Sequence, residues 1–124
     1  MTRLDSERNV WMATVRPDGR PHLTPIWFVW QAGTIWCCVS RTTTKLRNLE
    51  INPAVSLSLE SGNAPLVAEG RVTIHSRPYP DTIVEAVAAK YEWNITRGDD
   101  DGDFDALLEI TVDRWLMGDP SLDD

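Results

Sequence analysis

Residues 10–22 read Val10-Trp11-Met12-Ala13-Thr14-Val15-Arg16-Pro17-Asp18-Gly19-Arg20-Pro21-His22. Val10 to Arg16 alternates loosely, as a strand with one buried face does. Pro17-Asp18-Gly19 is turn chemistry, because proline presets the first corner and glycine accepts a positive φ. His22 to Trp30 is then dense in aliphatic and aromatic residues and stops at Gln31-Ala32-Gly33, a second tight connection, after which Thr34 to Ser40 resumes the pattern. Three antiparallel strands joined by short turns are the simplest reading.

The period changes between Thr42 and Pro53. Leu46 and Leu49 lie three apart, Thr43 or Thr44 can cap a helix, and Asn52-Pro53 stops it. Ala54 to Glu60 returns to alternation, with Val55, Leu57 and Leu59 on one face. After the Ser61-Gly62-Asn63 turn, Leu66 to Ser76 sets Ala68, Val72 and Ile74 against Glu69, Arg71 and His75. Pro80 to Glu92 spaces Ile83, Val84, Val87, Ala88 and Tyr91 as an amphipathic helix. A last strand runs from about Ala106 to Leu116. Periodicity alone therefore predicts a mainly β chain of six strands and two short helices, wrapped as a small closed or nearly closed antiparallel barrel.

The chain has 124 residues, enough for one domain spanning residues 1–124 but marginal for a core that also encloses a sizeable ligand, so a second subunit could supply the missing wall. With 12 basic and 19 acidic side chains the net charge is -7, which disfavours partners that need a broad basic face, such as nucleic acid or an anionic membrane. The N-terminus carries charges of both signs and lacks the apolar core of a secretory signal, which points to the cytoplasm. Adjacent Cys37 and Cys38 would point to opposite faces of a strand, so they read as packing residues rather than a disulfide or a metal site. Placing Gly102 at the sixth position of a calcium loop puts Arg97 first and Leu108 twelfth, where carboxylates are required, so the acidic stretch 99–105 reads as a solvated loop.

Charge is uneven along the chain. Residues 1–62 carry 7 basic and 5 acidic side chains, a surplus of +2, whereas residues 63–124 carry 5 and 14, a balance of -9. Arg41, Lys45 and Arg47 cluster at the start of the first expected helix, beside the hydroxyls of Thr42, Thr43 and Thr44. Cations at a helix N-terminus oppose its dipole, so stability alone does not place them there. With unpaired backbone N–H groups at the same point, the arrangement suits an anion, most often phosphate. The alternative is that one threonine caps the helix while Lys45 and Arg47 are solvated. No glycine-rich run precedes Lys45, so the pattern is not that of nucleotide hydrolysis.

Ala13 to His22, then Thr24-Pro25-Ile26-Trp27-Phe28, then Thr44-Lys45-Leu46-Arg47-Asn48-Leu49 and Asn52-Pro53 resemble, in order and spacing, the pyridoxamine 5'-phosphate oxidase-like superfamily. More narrowly they are similar to its flavin and deazaflavin (F420) dependent reductases of the B type. The resemblance implies a six- to seven-stranded antiparallel split β-barrel, the FMN-binding type, with two or three short helices. It implies a homodimeric oxidoreductase with a cofactor site at each subunit interface, holding coenzyme F420 or, as the alternative, FMN. The reaction expected is hydride transfer to an unsaturated small molecule. A non-catalytic flavin, haem or tetrapyrrole binding module on the same barrel is the competing expectation.

Carried onto this sequence, Lys45 takes the place of the phosphate lysine, flanked by Thr43 and Thr44, with Arg47 and Arg41 in the same loop and helix start. Thr24, Pro25, Ile26 and Trp27 match the strand along the cofactor ring, and Val39 and Ser40 its neighbour. Trp27, Phe28 and Trp30 would supply an apolar wall beside the clamp. Trp93 and Arg97, with His22 at the start of the ring strand, are candidates for a pocket closed against substrate or partner. His22 and His75 lack a nearby nucleophile pattern, so no triad is expected, and no metal is called for. The absence of a catalytic dyad does not argue against an enzyme whose hydride chemistry belongs to its cofactor.

Overall fold

The computed structural model describes residues 1–96 and 104–122. Seven strands form one antiparallel sheet: β1 (Asn9–Val15), β2 (Pro21–Trp27), β3 (Val29–Gln31), β4 (Thr34–Val39), β5 (Ala54–Leu59), β6 (Val67–His75) and β7 (Ala106–Met117). Three helices interrupt them, α1 (Arg3–Ser6), α2 (Thr44–Ile51) and α3 (Asp81–Tyr91). The spatial order is β2-β1-β5-β6-β7-β4-β3. The two outermost strands, β2 and β3, are separated in the chain by Phe28 alone, so the sheet comes round on itself as a split barrel.

The break at Phe28 departs from the single strand expected over His22 to Trp30. The first part pairs with β1, with Ile26 opposite Val10, while the second pairs with β4, with Val29 opposite Trp36. Tyr91, 63 residues away, holds the break: its hydroxyl accepts the Phe28 N–H at 3.0 Å and lies 2.7 Å from the Phe28 carbonyl.

Alternation fills the barrel interior as expected. Val10 and Met12 of β1, Ile35, Cys37 and Val39 of β4, Val55, Leu57 and Leu59 of β5, and Leu108 and Ile110 of β7 are buried together, with Leu4 of α1 and Leu46 and Leu49 of α2 covering the barrel. A second core lies outside it, where Ile83, Val87 and Tyr91 of α3 pack on Val29 and Leu107 with Trp36 and Cys38 at the margin. Trp30 belongs to the first core and sits edge-on to Trp115 at 5.9 Å, away from Trp27. α2 is keyed to β1 through a buried pair, Asn48 Nδ2 donating to Thr14 Oγ1 at 3.0 Å. Among the described residues no helix is long and apolar enough to cross a membrane.

Candidate functional site

Two features share the half-buried face of β2, which carries His22, Thr24 and Ile26 at every second residue. His22 to Ile26 spans roughly 13 Å along the strand. At the His22 end stands the start of α2; at the Ile26 end opens an aromatic cleft.

The start of α2 keeps its backbone donors open, for Thr43 occupies the N-cap without a side-chain cap bond. The Thr43 hydroxyl donates instead to the Ser40 carbonyl at 2.8 Å, tightening the turn that leads into the helix. Lys45 is half-buried, and loss of hydration lowers its ammonium pKa from the usual lysine range. It lies close enough to His22 to hold the imidazole pKa down, after burial and together with Arg16. His22 Nδ1 and Thr24 Oγ1 are both closed to solvent and have no hydrogen-bond partner among the described residues. A buried polar atom without a partner costs about 1–3 kcal/mol, so two of them side by side mark a polar site that the chain alone leaves incomplete.

The other expected clamp residues are arranged less uniformly. Thr44 is exposed on the first turn. Arg47 is exposed as well, and two residues along a helix place its side chain roughly 200° round from Lys45, so the two do not share a face. Arg41 donates its backbone N–H to Asp105 Oδ1 at 2.8 Å and its guanidinium to Ser76 Oγ. Ser40 Oγ accepts the Phe104 N–H at 3.1 Å. The Val39 side chain is buried in the barrel, which leaves only its backbone to face a ligand. Pro25 is exposed, facing away from Thr24 and Ile26.

The cleft has a volume of about 550 Å³ and lies between the end of β2, the outer face of β4 and the end of α3. Trp27 stacks on Tyr91 with ring centroids 4.4 Å apart and 8° between planes. Trp93 stands edge-on to Trp27 at 6.3 Å and edge-on to Phe104 at 4.6 Å. Trp36 and Cys38, outward-facing on β4, form the floor with Ile26. Trp27, expected on the ring strand, and Trp93, expected in a substrate or partner-side pocket, meet in this one cleft; Trp30 is not part of this wall. His22 is at the α2 end of the face rather than in the cleft with Trp93. Arg97 lies outside the described residues.

Three cleft residues had no sequence signal for this role. Cys38 reads as plain packing, but its thiol lines the cleft, 3.3 Å from the Phe104 carbonyl, and burial pushes its pKa up to about 11. Phe104 lies within the acidic stretch 99–105, of which residues 99–103 are outside the described residues, and its carbonyl accepts from Tyr79 Oη at 2.8 Å and Arg77 Nη2 at 3.1 Å. Tyr91, a helix-face residue in the sequence, serves as both wall and clasp.

A cofactor with a phosphate at one end and a flat ring at the other fits these residues. The uncapped start of α2, the half-buried Lys45 and the unpartnered His22 and Thr24 suit an anionic tail and its polar neighbours, and the aromatic cleft suits a ring. The end of β4 leads from one to the other, since Cys38 lines the cleft and Ser40, one residue past the strand, accepts the Thr43 hydroxyl at the turn into α2.

Comparison with solved structures agrees with the fold. An F420 reductase superposes with a TM-score of 0.71 at 24% identity, covering 90% of each chain. A conserved hypothetical protein from Mycobacterium tuberculosis gives 0.71 at 26% identity, covering 90% of this chain and 79% of that one. HutZ, a heme storage protein from Vibrio cholerae, gives 0.74 at 20% identity over 90% of this chain and 86% of its own. No curated protein sequence matches. The sequence profile described as pyridoxamine 5'-phosphate oxidase matches residues 1–117, nearly the whole chain that builds the split barrel, and on that ground this protein belongs to the pyridoxamine 5'-phosphate oxidase family.

Proposed function

We propose that this protein is an oxidoreductase that binds a phosphate-bearing flavin or deazaflavin, coenzyme F420 in the first instance and FMN as the alternative, and transfers hydride to an unsaturated small molecule. The observation that carries the reading is the pair of unpartnered buried atoms, His22 Nδ1 and Thr24 Oγ1, on the face that runs from Lys45 to the aromatic cleft. The likeness to an F420 reductase supports the choice of cofactor.

When bound, the cofactor supplies the hydride chemistry. The chain's own contribution is binding and exclusion of water. Lys45, with Thr44 and the open N–H groups of α2, holds the phosphate, while Thr43, expected beside them, has both its hydroxyl and its N–H committed to the Ser40 carbonyl and shapes the turn instead; Arg41 and Arg47 raise the local positive potential around the phosphate. Thr24, Ile26 and Trp27, with the backbone of Val39 and Ser40, lie along the ring. Trp93 and Phe104 keep water from the reacting face.

A homodimer completes the site in this reading. Trp11 and Leu23 are exposed on the outer face of β1 and β2, beside a groove of about 420 Å³. An apolar face of this kind suits a second copy of the chain.

The likeness to a heme storage protein favours one second reading, a non-catalytic haem or tetrapyrrole binding module using the same cleft. The visible spectrum of the purified protein, followed by titration with F420, FMN and haem, separates the two. Saturable F420 or FMN binding with reduction and reoxidation by a substrate panel supports the oxidoreductase. Tight haem binding without turnover supports the module. Failure of all three to bind at micromolar concentration overturns both.

A further inference from the structure

His22 is the first residue of the half-buried face of β2 and lies opposite Thr14 of β1. Cross-strand neighbours share a face, and the Thr14 hydroxyl accepts from Asn48 of α2, so the imidazole comes down beside that helix. Nδ1 is closed to solvent with no hydrogen-bond partner among the described residues, and Thr24 Oγ1, next along the same face, is in the same condition. An imidazole nitrogen and a hydroxyl left open together call for a polar group from outside the chain.

The charges that act on this imidazole among the described residues are both positive: Arg16 from the end of β1 and Lys45 from α2. Arg16 is steadied where it stands, donating from Nη1 to the Pro21 carbonyl at 2.8 Å, in the peptide just before His22. Asp18, the carboxylate of the same hairpin, is committed to Arg20, whose Nε and backbone N–H it accepts at 2.8 and 3.1 Å. β1 and β2 hold no titratable side chain besides His22. On α2 the remaining charges are Arg47, on another side from Lys45, and Glu50, exposed and roughly 200° round from Asn48. Burial first, and then Arg16 and Lys45, therefore favour the neutral imidazole while the site is free.

An anion at the start of α2 opposes both cations. Its charge offsets Arg16 and Lys45, and one of its oxygens gives Nδ1 an acceptor, and each change favours imidazolium. We propose that His22 couples anion binding to proton uptake: seating the anion draws one proton from solvent onto the imidazole, Nδ1–H donates to the anion, and affinity falls as pH rises. The sign follows from linkage, since the bound state holds more protons than the free state. Each unit by which the bound anion raises the His22 midpoint corresponds to about a tenfold loss of affinity across the window between the free and bound midpoints. That the anion is a cofactor phosphate rests on the oxidoreductase reading; the coupling rests on His22, Arg16 and Lys45.

Proton NMR of the imidazole signals tests the coupling on the whole protein without cofactor. Sulfate keeps its charge through the histidine range, so saturating sodium sulfate is compared with sodium chloride at equal ionic strength. Sulfate is expected to raise the His22 midpoint by about one pH unit. His75, whose Nε2 meets Glu109 at 2.8 Å on β6 and β7, is the internal control, and either His22→Asn or His75→Gln assigns the two signals. Calorimetry of F420 and FMN in buffers of different protonation enthalpy then counts the protons taken up. His22→Asn keeps a donor near the place of Nδ1 but cannot titrate, so at about pH 6.5 it should bind with a count lower by up to one proton per site than the unaltered protein. Subtracting the two counts removes any proton that the phosphate itself exchanges.

A His22 midpoint unmoved by sulfate and by bound F420 or FMN overturns the proposal. So does an equal displacement of the His75 signal, or a proton count that His22→Asn leaves unchanged. Sulfate coupling at His22 in a protein that binds neither F420 nor FMN would overturn the oxidoreductase reading and leave the coupling standing. F420 or FMN turnover with an unmoved His22 would do the reverse.

Discussion

The Tyr91 hydroxyl receives the N–H of Phe28 at 3.0 Å, at the one residue that separates β2 from β3. Its own proton is shared between the carbonyls of Phe28 and Arg8, each at 2.7 Å. Three backbone groups at the seam of the barrel therefore depend on one side chain. Tyr91→Phe keeps the stacked ring but strands the buried Phe28 N–H, and should destabilise the fold by about 1–3 kcal/mol in chemical denaturation. A loss within measurement error would mean that another group takes over the clasp.

In the proposed reading Lys45 is the phosphate clamp. Lys45→Ala should weaken F420 or FMN binding by about 1.5–3 kcal/mol if the ammonium makes a charge-assisted phosphate contact. Arg47→Ala, on the far side of α2, should cost less and become negligible as salt is raised. Calorimetric titration of the two variants gives the comparison, and an unchanged affinity for Lys45→Ala removes Lys45 from the site.

Thr14 and Asn48 are buried together, each 2% exposed. Thr14→Val preserves shape and deletes the acceptor of the Asn48 amide, so it should cost about 1–3 kcal/mol of stability. Because the bond fixes α2 over β1, cofactor affinity should fall alongside stability; equilibrium unfolding and titration of the same sample test both.

Lys90 sits against Phe28 and donates to the Leu4 carbonyl at 3.3 Å, and burial depresses its pKa to about 8 from the ordinary 10.5. Asp5, Glu7 and Cys37 act to raise it, Arg8 to lower it. Between pH 8 and 10.5 the unfolded chain binds this proton and the folded chain does not, so this group makes stability rise with pH over that window. Cys38, raised to about 11, acts in the opposite sense above the normal thiol range. The difference between proteins isolates the lysine: Lys90→Met should lose stability more steeply than the unaltered chain between pH 7.5 and about 9.5. Parallel slopes in denaturant titrations would remove Lys90 as the cause.

Leu23 is 59% exposed on the outer face of β2, two residues from Pro25 and four from Trp27. If that face meets a second copy, Leu23→Asp should shift the protein toward monomer in light scattering and weaken cofactor binding together with it, because a carboxylate in an apolar interface is costly. A dimer of unaltered strength would place the interface elsewhere.

Much of the barrel was legible because alternation is a local signal. Val55, Leu57 and Leu59 point inward as their spacing requires, and the turns at Gly19 and Gly33 have the positive φ values that glycine allows. The seam at Phe28 was not legible, since Trp27-Phe28-Val29-Trp30 is continuously apolar and the break depends on a hydroxyl 63 residues away. Lys45 could be singled out from its helix start, but Arg47 could not be excluded until the helix phase placed it on another side. Cys38 and Phe104 became site residues only through the packing of α3 and the chain after it onto β4.

The order of the strands carries a consequence for how the chain is made. β7, the last strand in this sequence, lies between β6 and β4 in the middle of the sheet. A ribosome that has released everything up to α3 has produced two strands, β4 and β6, whose facing edges have no neighbour. Unpaired edges recruit other chains. The nascent chain is therefore exposed to misassembly in the interval before the residues of β7 emerge, and the seam on the far side of the barrel cannot shorten that interval.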